Sequence, residues 1–196
     1  SLGHDVGDAL LREVSARMSF LSQKYKNTVS RLGGDEFCVL SELYDSKEAC
    51  FTAANHCANK LLAGIKESYV IGEHHLYISA SIGVSIISNP ELSATVFIKE
   101  ADIAMYEAKT QGRNGIIFFN DALSQRVERK LEIERLLHFS LKNNEITLNY
   151  QPQVNLENKI IGCEVLARWE NEKLGAVSPA EFIPVFEKTG FIVELG

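Results

Sequence analysis

The chain has 196 residues and a formal net charge of −6, and 45% of its residues are hydrophobic and 23% charged. This composition is ordinary for a soluble globular protein of one or two domains. No apolar stretch approaches the roughly 18 residues that a membrane span requires, and the acidic charge argues against a basic surface for nucleic acid.

The first half of the chain alternates between helical and strand patterns. Apolar residues at helical spacing predict a first helix over about residues 4–25. A β-hairpin follows over residues 29–40, because two apolar runs flank a pair of glycines. A capping-box pattern at Asp45 predicts the start of a second helix. Alternating apolar and small residues then predict one continuous strand over residues 76–86.

Helical and strand patterns continue beyond this strand. A third helix is predicted over about residues 93–110 and a short strand over residues 116–119. A long charged helix begins near Ala122, carries Leu131 on its apolar side, and is a candidate connector between two domains. Helices mixed with antiparallel hairpins in this order indicate an α+β layer architecture.

The last third of the chain predicts two strands and a helix. The strands cover about residues 146–150 and 160–169 and are joined by a polar turn. Ser178 is a strong N-cap candidate, because proline follows it at the first helical position and Glu181 completes a capping box. This helix is expected to end near Gly190.

Four cysteines lack the CxxC spacing of metal and redox sites: Cys38, Cys50, Cys57 and Cys163. They fall on apolar faces of the predicted strands and helices. We therefore expect reduced core thiols in a cytoplasmic protein.

The predicted hairpin carries the most informative pentapeptide of the chain, Gly33-Gly34-Asp35-Glu36-Phe37. Glycine has no Cβ, so a ligand can approach the backbone closely at a two-glycine turn. Adjacent carboxylates are oxygen ligands of the kind that hard cations prefer. The hairpin tip therefore suits a metal-bound nucleoside triphosphate, although a plain hairpin turn explains the glycines equally well.

Four segments in the first half resemble the GGDEF domain of diguanylate cyclases, which join two GTP molecules into cyclic di-GMP. The segments are GHDVGD (residues 3–8), RLGGDEF (31–37), SIGV (81–84) and ADIAMYEAKTQGRN (101–114). The resemblance implies that residues 1–120 form a GGDEF domain, with a cyclase-like central sheet flanked by helices and the family's first strand missing.

The resemblance also implies roles for individual residues. Five of them would bind GTP: Asp8, Gly33, Gly34, Lys109 and Arg113. Asp35 and Glu36 would be the catalytic acids and would hold Mg²⁺ or Mn²⁺. The alternatives are structural, because Asp8 would be favoured at the start of a helix, and Lys109 and Arg113 at the end of one.

The product of this family contains two nucleotides related by two-fold symmetry. Each domain holds one GTP, so the resemblance implies a homodimer that brings two sites face to face. Each 3′-hydroxyl would attack the α-phosphate of the other GTP and expel pyrophosphate.

Residues 121–196 resemble a connector helix and the beginning of an EAL domain, the cyclic di-GMP phosphodiesterase, which folds as a TIM-type barrel. The matching segments are YQP (residues 150–152), EVLARW (164–169) and the helix over residues 178–190. A barrel needs about 250 residues, so this half is too short to close one.

The resemblance implies that Glu164 is a metal ligand and that Gln151, Leu166 and Arg168 bind cyclic di-GMP. Residues four apart on a strand lie on one face, which is consistent with Glu164 and Arg168 lining one pocket. The alternative is an ion pair buried within the strand.

We therefore expect a fragment of a tandem GGDEF–EAL protein that is inactive by itself, since the family's first-strand metal ligand is missing. The expected location is cytoplasmic, and this expectation is compatible with a membrane or sensory domain elsewhere in the whole protein. Residues 24–27 keep a cation but lack the acid of the family's RxxD inhibitory site, so feedback inhibition is not expected there. The alternative function is a non-catalytic module that binds GTP or cyclic di-GMP.

Overall fold

The computed structural model describes residues 3–23, 25–88 and 91–195. The chain divides into two compact units, with the boundary between Ser124 and Gln125. In the described part of the chain, no helix combines the length and the apolar character needed to cross a membrane. Lys24 of the expected inhibitory stretch lies outside the described residues.

Helices and short strands alternate along the chain, which confirms the predicted α+β class. The first unit contains α1 (His4–Gln23), β1 (Thr28–Gly33), β2 (Glu36–Leu40), α2 (Lys47–Lys66), β3 (Tyr69–Ile71), β4 (His74–Leu76), β5 (Ile82–Val84), α3 (Ala94–Thr110) and β6 (Ile116–Phe118). Helix α4 (Asp121–Ser140) begins at the end of this unit. The second unit continues with β7 (Ile146–Val154), β8 (Ile160–Asn171), β9 (Gly175–Val177), α5 (Pro179–Thr189) and α6 (Ile192–Leu195).

The described strands of the first unit form three two-stranded ladders. Strands β1 and β2 are antiparallel, as are β3 and β4, whereas β5 and β6 are parallel. The parallel pair is possible because α3 provides the crossover. Gly83 of β5 lies directly against this helix, where a Cβ would be 2.0 Å from the Ala101 carbonyl oxygen and 2.3 Å from the Met105 nitrogen. Only glycine permits this approach.

The core of the first unit lies between α1 and α2 and includes buried Val14, Leu61 and Tyr69. Arg17 fixes the end of α2, because its guanidinium donates hydrogen bonds to the carbonyl oxygens of Gly64, Glu67 and Ser68 at 2.8–3.0 Å. The same guanidinium stacks 3.7 Å above the centre of the Tyr69 ring. The Glu67 and Ser68 carbonyls just beyond the helix thereby gain a donor, and the Gly64 carbonyl, which also accepts from the Glu67 amide, gains a second one.

Two sequence predictions in this unit are wrong. The continuous strand predicted over residues 76–86 is interrupted, because residues 77–81 pair with no described strand. Alternation indicates a half-buried surface, but a strand also requires a partner. The N-cap of α2 is Ser46 and not Asp45, since the Ser46 Oγ accepts from the Ala49 amide at 3.1 Å. The β3–β4 hairpin, which turns at Gly72 with φ +61°, was not predicted.

The second unit is a three-stranded antiparallel sheet packed against α4 and α5, with no closed barrel among the described residues. Buried Ile133 and Leu137 of α4 meet Trp169 and Phe182, whose rings lie edge to face at 5.7 Å. The predicted start of α5 is confirmed, because Ser178 is its N-cap and forms a capping box.

Two predictions in this unit also fail. Leu131 of α4 is 50% exposed, because the helix turns Ile133 and Leu137 toward the core instead. Cys163 is exposed, whereas Cys57 is buried as expected. All four thiols are free.

Candidate functional site

The glycine turn of the first hairpin is open and conformationally special. Arg31 pairs with Phe37 and Gly33 with Glu36, with a register shift between the two pairs. Gly34 has φ +50°, a left-handed conformation that favours glycine. A Cβ at Gly34 would meet nothing within 4 Å, so the backbone angle and not crowding requires glycine here. The empty space leaves room for a ligand.

The two acids beside this turn are exposed and uncompensated. Neither the Asp35 nor the Glu36 side chain forms a hydrogen bond or ion pair within the described part of the chain. Adjacent unpaired carboxylates repel each other, and a cation relieves the repulsion. The donor set therefore fits a hard divalent ion.

Within residues 3–23, 25–88 and 91–195, no group of three or more His, Cys, Asp or Glu side chains is arranged so that it could hold a metal ion. At the hairpin tip, Asp35 and Glu36 therefore supply two carboxylate ligands, and no third described side chain of these types joins them. Mg²⁺ is usually bound by one or two carboxylates together with substrate phosphates and water. The pair consequently suits a metal that arrives with a phosphorylated ligand.

Asp8 is exposed on α1 and forms no side-chain contact with the other site residues. It is the fifth residue of this helix, whereas Asp5 is the acid of the first turn. The helix dipole acts mainly within the first turn. The structural alternative for Asp8 therefore has little support from its position.

Lys109 lies in the last turn of α3 and Arg113 in the turn that follows the helix, and both are exposed. Gly112, Arg113 and Asn114 have φ values of +109°, +62° and +53°. A left-handed arginine is uncommon, and such strain typically costs about 1–3 kcal/mol and concentrates at ligand sites. The Arg113 amide donates to the Ala108 carbonyl at 3.1 Å, which holds the turn in place.

These residues belong to three separate segments: the hairpin tip, helix α1 and the end of α3. Among the described residues no hydrogen bond or ion pair joins one of these segments to another. Sequence reasoning did not identify Arg31, whose guanidinium donates to the Gly34 carbonyl from Nε at 2.9 Å and from Nη2 at 2.7 Å.

The candidate residues of the second unit share one face of the β7–β8 hairpin. Gln151 lies directly opposite Glu164 in the strand register, and Leu166 and Arg168 follow at alternate positions of β8. Gln151, Glu164 and Arg168 are exposed, and Leu166 is half-buried. This face therefore presents a carboxylate, an amide and a guanidinium together.

The alternative of a buried ion pair between Glu164 and Arg168 is wrong. Both side chains are exposed, and no ion pair joins them in the described residues. Arg168 instead donates from Nη1 to the Ala167 carbonyl at 2.9 Å. Both charged groups consequently remain available to a ligand.

The opposite face of β8 is anchored by Glu145, which sequence reasoning missed. Its carboxylate accepts from the Trp169 indole N–H at 3.0 Å and from the Asn171 amide at 2.8 Å. Burial raises the pKa of Glu145, but hydrogen bonds from Asn171, Trp169 and Asn143 outweigh it and leave the pKa below its ordinary value. No local sequence signal links residues so far apart in the chain.

Other carboxylates with lowered pKa values hold α4 to its neighbours. Hydrogen bonds from Arg135 and Lys173 lower the pKa of Glu132 to about 2. A hydrogen bond from Arg129 lowers the pKa of Glu181 in the same way. These ion pairs lie apart from the polar face of β8, so they are structural.

Comparisons with known proteins agree with both halves of the chain. The family model "Diguanylate cyclase, GGDEF domain" matches residues 1–115, and the model "EAL domain" matches residues 133–196. Over 195 residues the chain is 38% identical to the bifunctional diguanylate cyclase/cyclic di-GMP phosphodiesterase MucR of Pseudomonas aeruginosa, covering 99% of this chain and 28% of MucR. It is 33% identical to the cyclic di-GMP phosphodiesterase PdeR of Escherichia coli, again covering 99% of this chain and 28% of the relative.

A solved structure supports the fold. An EAL/GGDEF domain protein from M. capsulatus superposes with a TM-score of 0.53 at 36% identity, covering 61% of this chain and 74% of that protein. The chain spans about a quarter of the length of the curated relatives that it matches.

Proposed function

The chain belongs to the GGDEF family of diguanylate cyclases and runs on into the EAL family, and from this premise we propose that it is part of a cyclic di-GMP signalling protein whose GGDEF half condenses two GTP molecules. The observation that carries the proposal is the carboxylate pair Asp35 and Glu36, which has no partner in the described part of the chain and lies beside the left-handed Gly34. A triphosphate can approach this backbone, and its metal finds two anionic ligands.

Both families generally depend on divalent metals. In the proposed site Asp35 and Glu36 would hold Mg²⁺ or Mn²⁺, and the bound ion would supply neutralisation of phosphate charge and activation of the ribose hydroxyl. Lys109 and Arg113 supply cationic donors for the terminal phosphates, and the strained Arg113 backbone supports this role. The Asp8 carboxylate accepts hydrogen bonds from the guanine N–H groups.

Condensation of two GTP molecules requires two such sites. We assign this task to a homodimer, in which each protomer holds one GTP. Each 3′-hydroxyl then attacks the α-phosphate of the GTP on the other protomer, and pyrophosphate leaves.

The second unit contributes a cyclic di-GMP site to the proposal. The exposed face of Gln151, Glu164, Leu166 and Arg168 offers a guanidinium for a phosphate and a carboxylate for a metal. The absence of an ion pair between Glu164 and Arg168 supports this assignment, because both charged groups remain able to bind a ligand.

The cyclase proposal is tested on the full-length protein with GTP and Mg²⁺, with cyclic di-GMP measured by mass spectrometry. Asp35→Asn and Glu36→Gln should each abolish the product and leave the fold intact. Glu73→Gln is a matched control, since Glu73 is also an exposed acid beside a left-handed glycine, at the β3–β4 turn. Wild-type turnover in either hairpin variant would refute the metal role.

A second function is favoured by one observation. PdeR matches this chain over both halves and carries the name of a phosphodiesterase alone. In that reading the GGDEF half binds GTP without turning it over and regulates the EAL half. Two results together would support this regulatory function. The full-length protein would bind GTP without making cyclic di-GMP, and it would hydrolyse added cyclic di-GMP faster when GTP is present.

A further inference from the structure

Arg31 makes the most specific side-chain contact of the hairpin tip. It lies on β1 just before the register shift, and two of its nitrogens donate to one acceptor, the Gly34 carbonyl, at 2.9 and 2.7 Å. Hydrogen bonds from a charged donor are stronger than neutral ones. Arg31 forms no ion pair with a described carboxylate, so the Gly34 carbonyl is the one acceptor of its guanidinium among the described residues.

The consequence concerns the peptide between Gly34 and Asp35. A trans peptide is planar, so its C=O and N–H groups point in opposite directions. Because the carbonyl is held toward Arg31, the Asp35 amide points away from it. That amide has no acceptor among the described residues, and the space at Gly34 is open. An oriented backbone N–H of this kind is a donor for an anion.

We propose that Arg31 is a positioning residue for the reaction: it fixes the turn peptide so that the Asp35 amide faces a phosphate oxygen and the two carboxylates keep one arrangement. In this assignment Arg31 acts on the turn through Nε and Nη2, which donate to the Gly34 carbonyl. A direct contact between GTP and the remaining Nη1 donors is the alternative that the test separates. This inference rests on the proposed cyclase activity of the GGDEF half.

The test compares three variants of the full-length protein: Arg31→Gln, Arg31→Lys and Arg126→Gln. Lysine keeps the positive charge but cannot place two fixed donors on one carbonyl. Arg126 is the matched control, because it is an exposed arginine whose side chain forms no hydrogen bond or ion pair with any described residue. The first measurement is hydrogen–deuterium exchange of peptides covering β1 and β2, made without nucleotide. The second is the separate kcat and KM for GTP.

Positioning predicts that Arg31→Gln accelerates exchange at the hairpin severalfold and lowers kcat about tenfold to a hundredfold, as small misplacements of reacting groups do. KM should change less, since the glycines still admit the triphosphate. Arg31→Lys should remain defective in both measurements, and Arg126→Gln should match wild type.

Three results would overturn the inference. Unchanged exchange in Arg31→Gln would show that the turn does not depend on this side chain. Faster exchange in Arg31→Gln with an unchanged kcat would show that Arg31 holds the turn but that the reaction does not depend on it. Unchanged exchange in Arg31→Gln, together with a higher KM that Arg31→Lys returns to the wild-type value, would show that Arg31 binds GTP directly. A wild-type protein that makes no cyclic di-GMP would refute the proposed function, while the exchange data would still decide whether Arg31 holds the turn.

Discussion

Gly83 provides the sharpest stability prediction, because the structure fixes the sign of the effect and identifies the atoms that would clash. In Gly83→Ala the new methyl group would lie 2.0 Å from the Ala101 carbonyl oxygen and 2.3 Å from the Met105 nitrogen. Both are backbone atoms of α3, so no side-chain rotation relieves the overlap. Either the helix or the strand must move by more than an ångström. Overpacking usually costs about 1–3 kcal/mol, and a clash with backbone belongs at the upper end of this range.

A second glycine gives the matched control. Gly7 lies inside α1, and a Cβ there would meet nothing within 4 Å. Gly7→Ala should therefore stabilise the protein by about 0.5–1 kcal/mol, because alanine loses less backbone entropy in a helix. The same chemical change is thus expected to have opposite signs at the two positions.

Urea unfolding followed by far-UV circular dichroism measures both effects. The Gly83→Ala midpoint should fall and the Gly7→Ala midpoint should rise relative to wild type. The reasoning is refuted if Gly83→Ala unfolds at the wild-type midpoint, since β5 and α3 would then not be in contact as described. A loss of stability in Gly7→Ala would refute the argument from open space.

Three further predictions concern the second unit. Arg168→Ala should weaken cyclic di-GMP binding by the full-length protein about tenfold to a hundredfold in calorimetry, the loss of one charge-assisted phosphate contact; binding as tight as wild type would disprove the phosphate assignment. Glu164→Ala should reduce hydrolysis far more than metal-free binding, and equal losses in both assays would argue against a metal ligand. The folded-state pKa of Glu132 is lowered from 4.5 to about 2 by Arg135 and Lys173, so its stabilising contribution is complete above pH 4.5 and is lost as the pH falls toward 2. Glu132→Gln should remove that part of the acid transition in unfolding experiments, and an unchanged pH profile would contradict the assignment.

The elements that the sequence predicted well are those specified by local chemistry. The capping box of Ser178 and Glu181 defines the start of α5, and the glycine pair defines the first hairpin. The four-residue spacing along β8 correctly placed Glu164 and Arg168 on one face. Each signal depends on residues within one turn or one strand, so no tertiary information was needed.

The failures share the opposite cause. The strand predicted over residues 76–86 is interrupted because pairing, and not alternation, decides where a strand lies. Leu131 has helical spacing suited to burial, yet α4 presents Ile133 and Leu137 to the core. A single helix contains several possible apolar faces, and only the packing partner selects one of them.

The sequence by itself determined the α+β class, the two families and the residue types at each candidate site, because these follow from motifs and local periodicity. Only the tertiary structure decided which groups are free to act. It showed that Asp35 and Glu36 have no cation partner among the described residues and that Arg168 is not paired with Glu164. It also showed that the Arg31 guanidinium is held by a carbonyl of its own turn. Contacts depend on side-chain direction in three dimensions, which residue order does not specify.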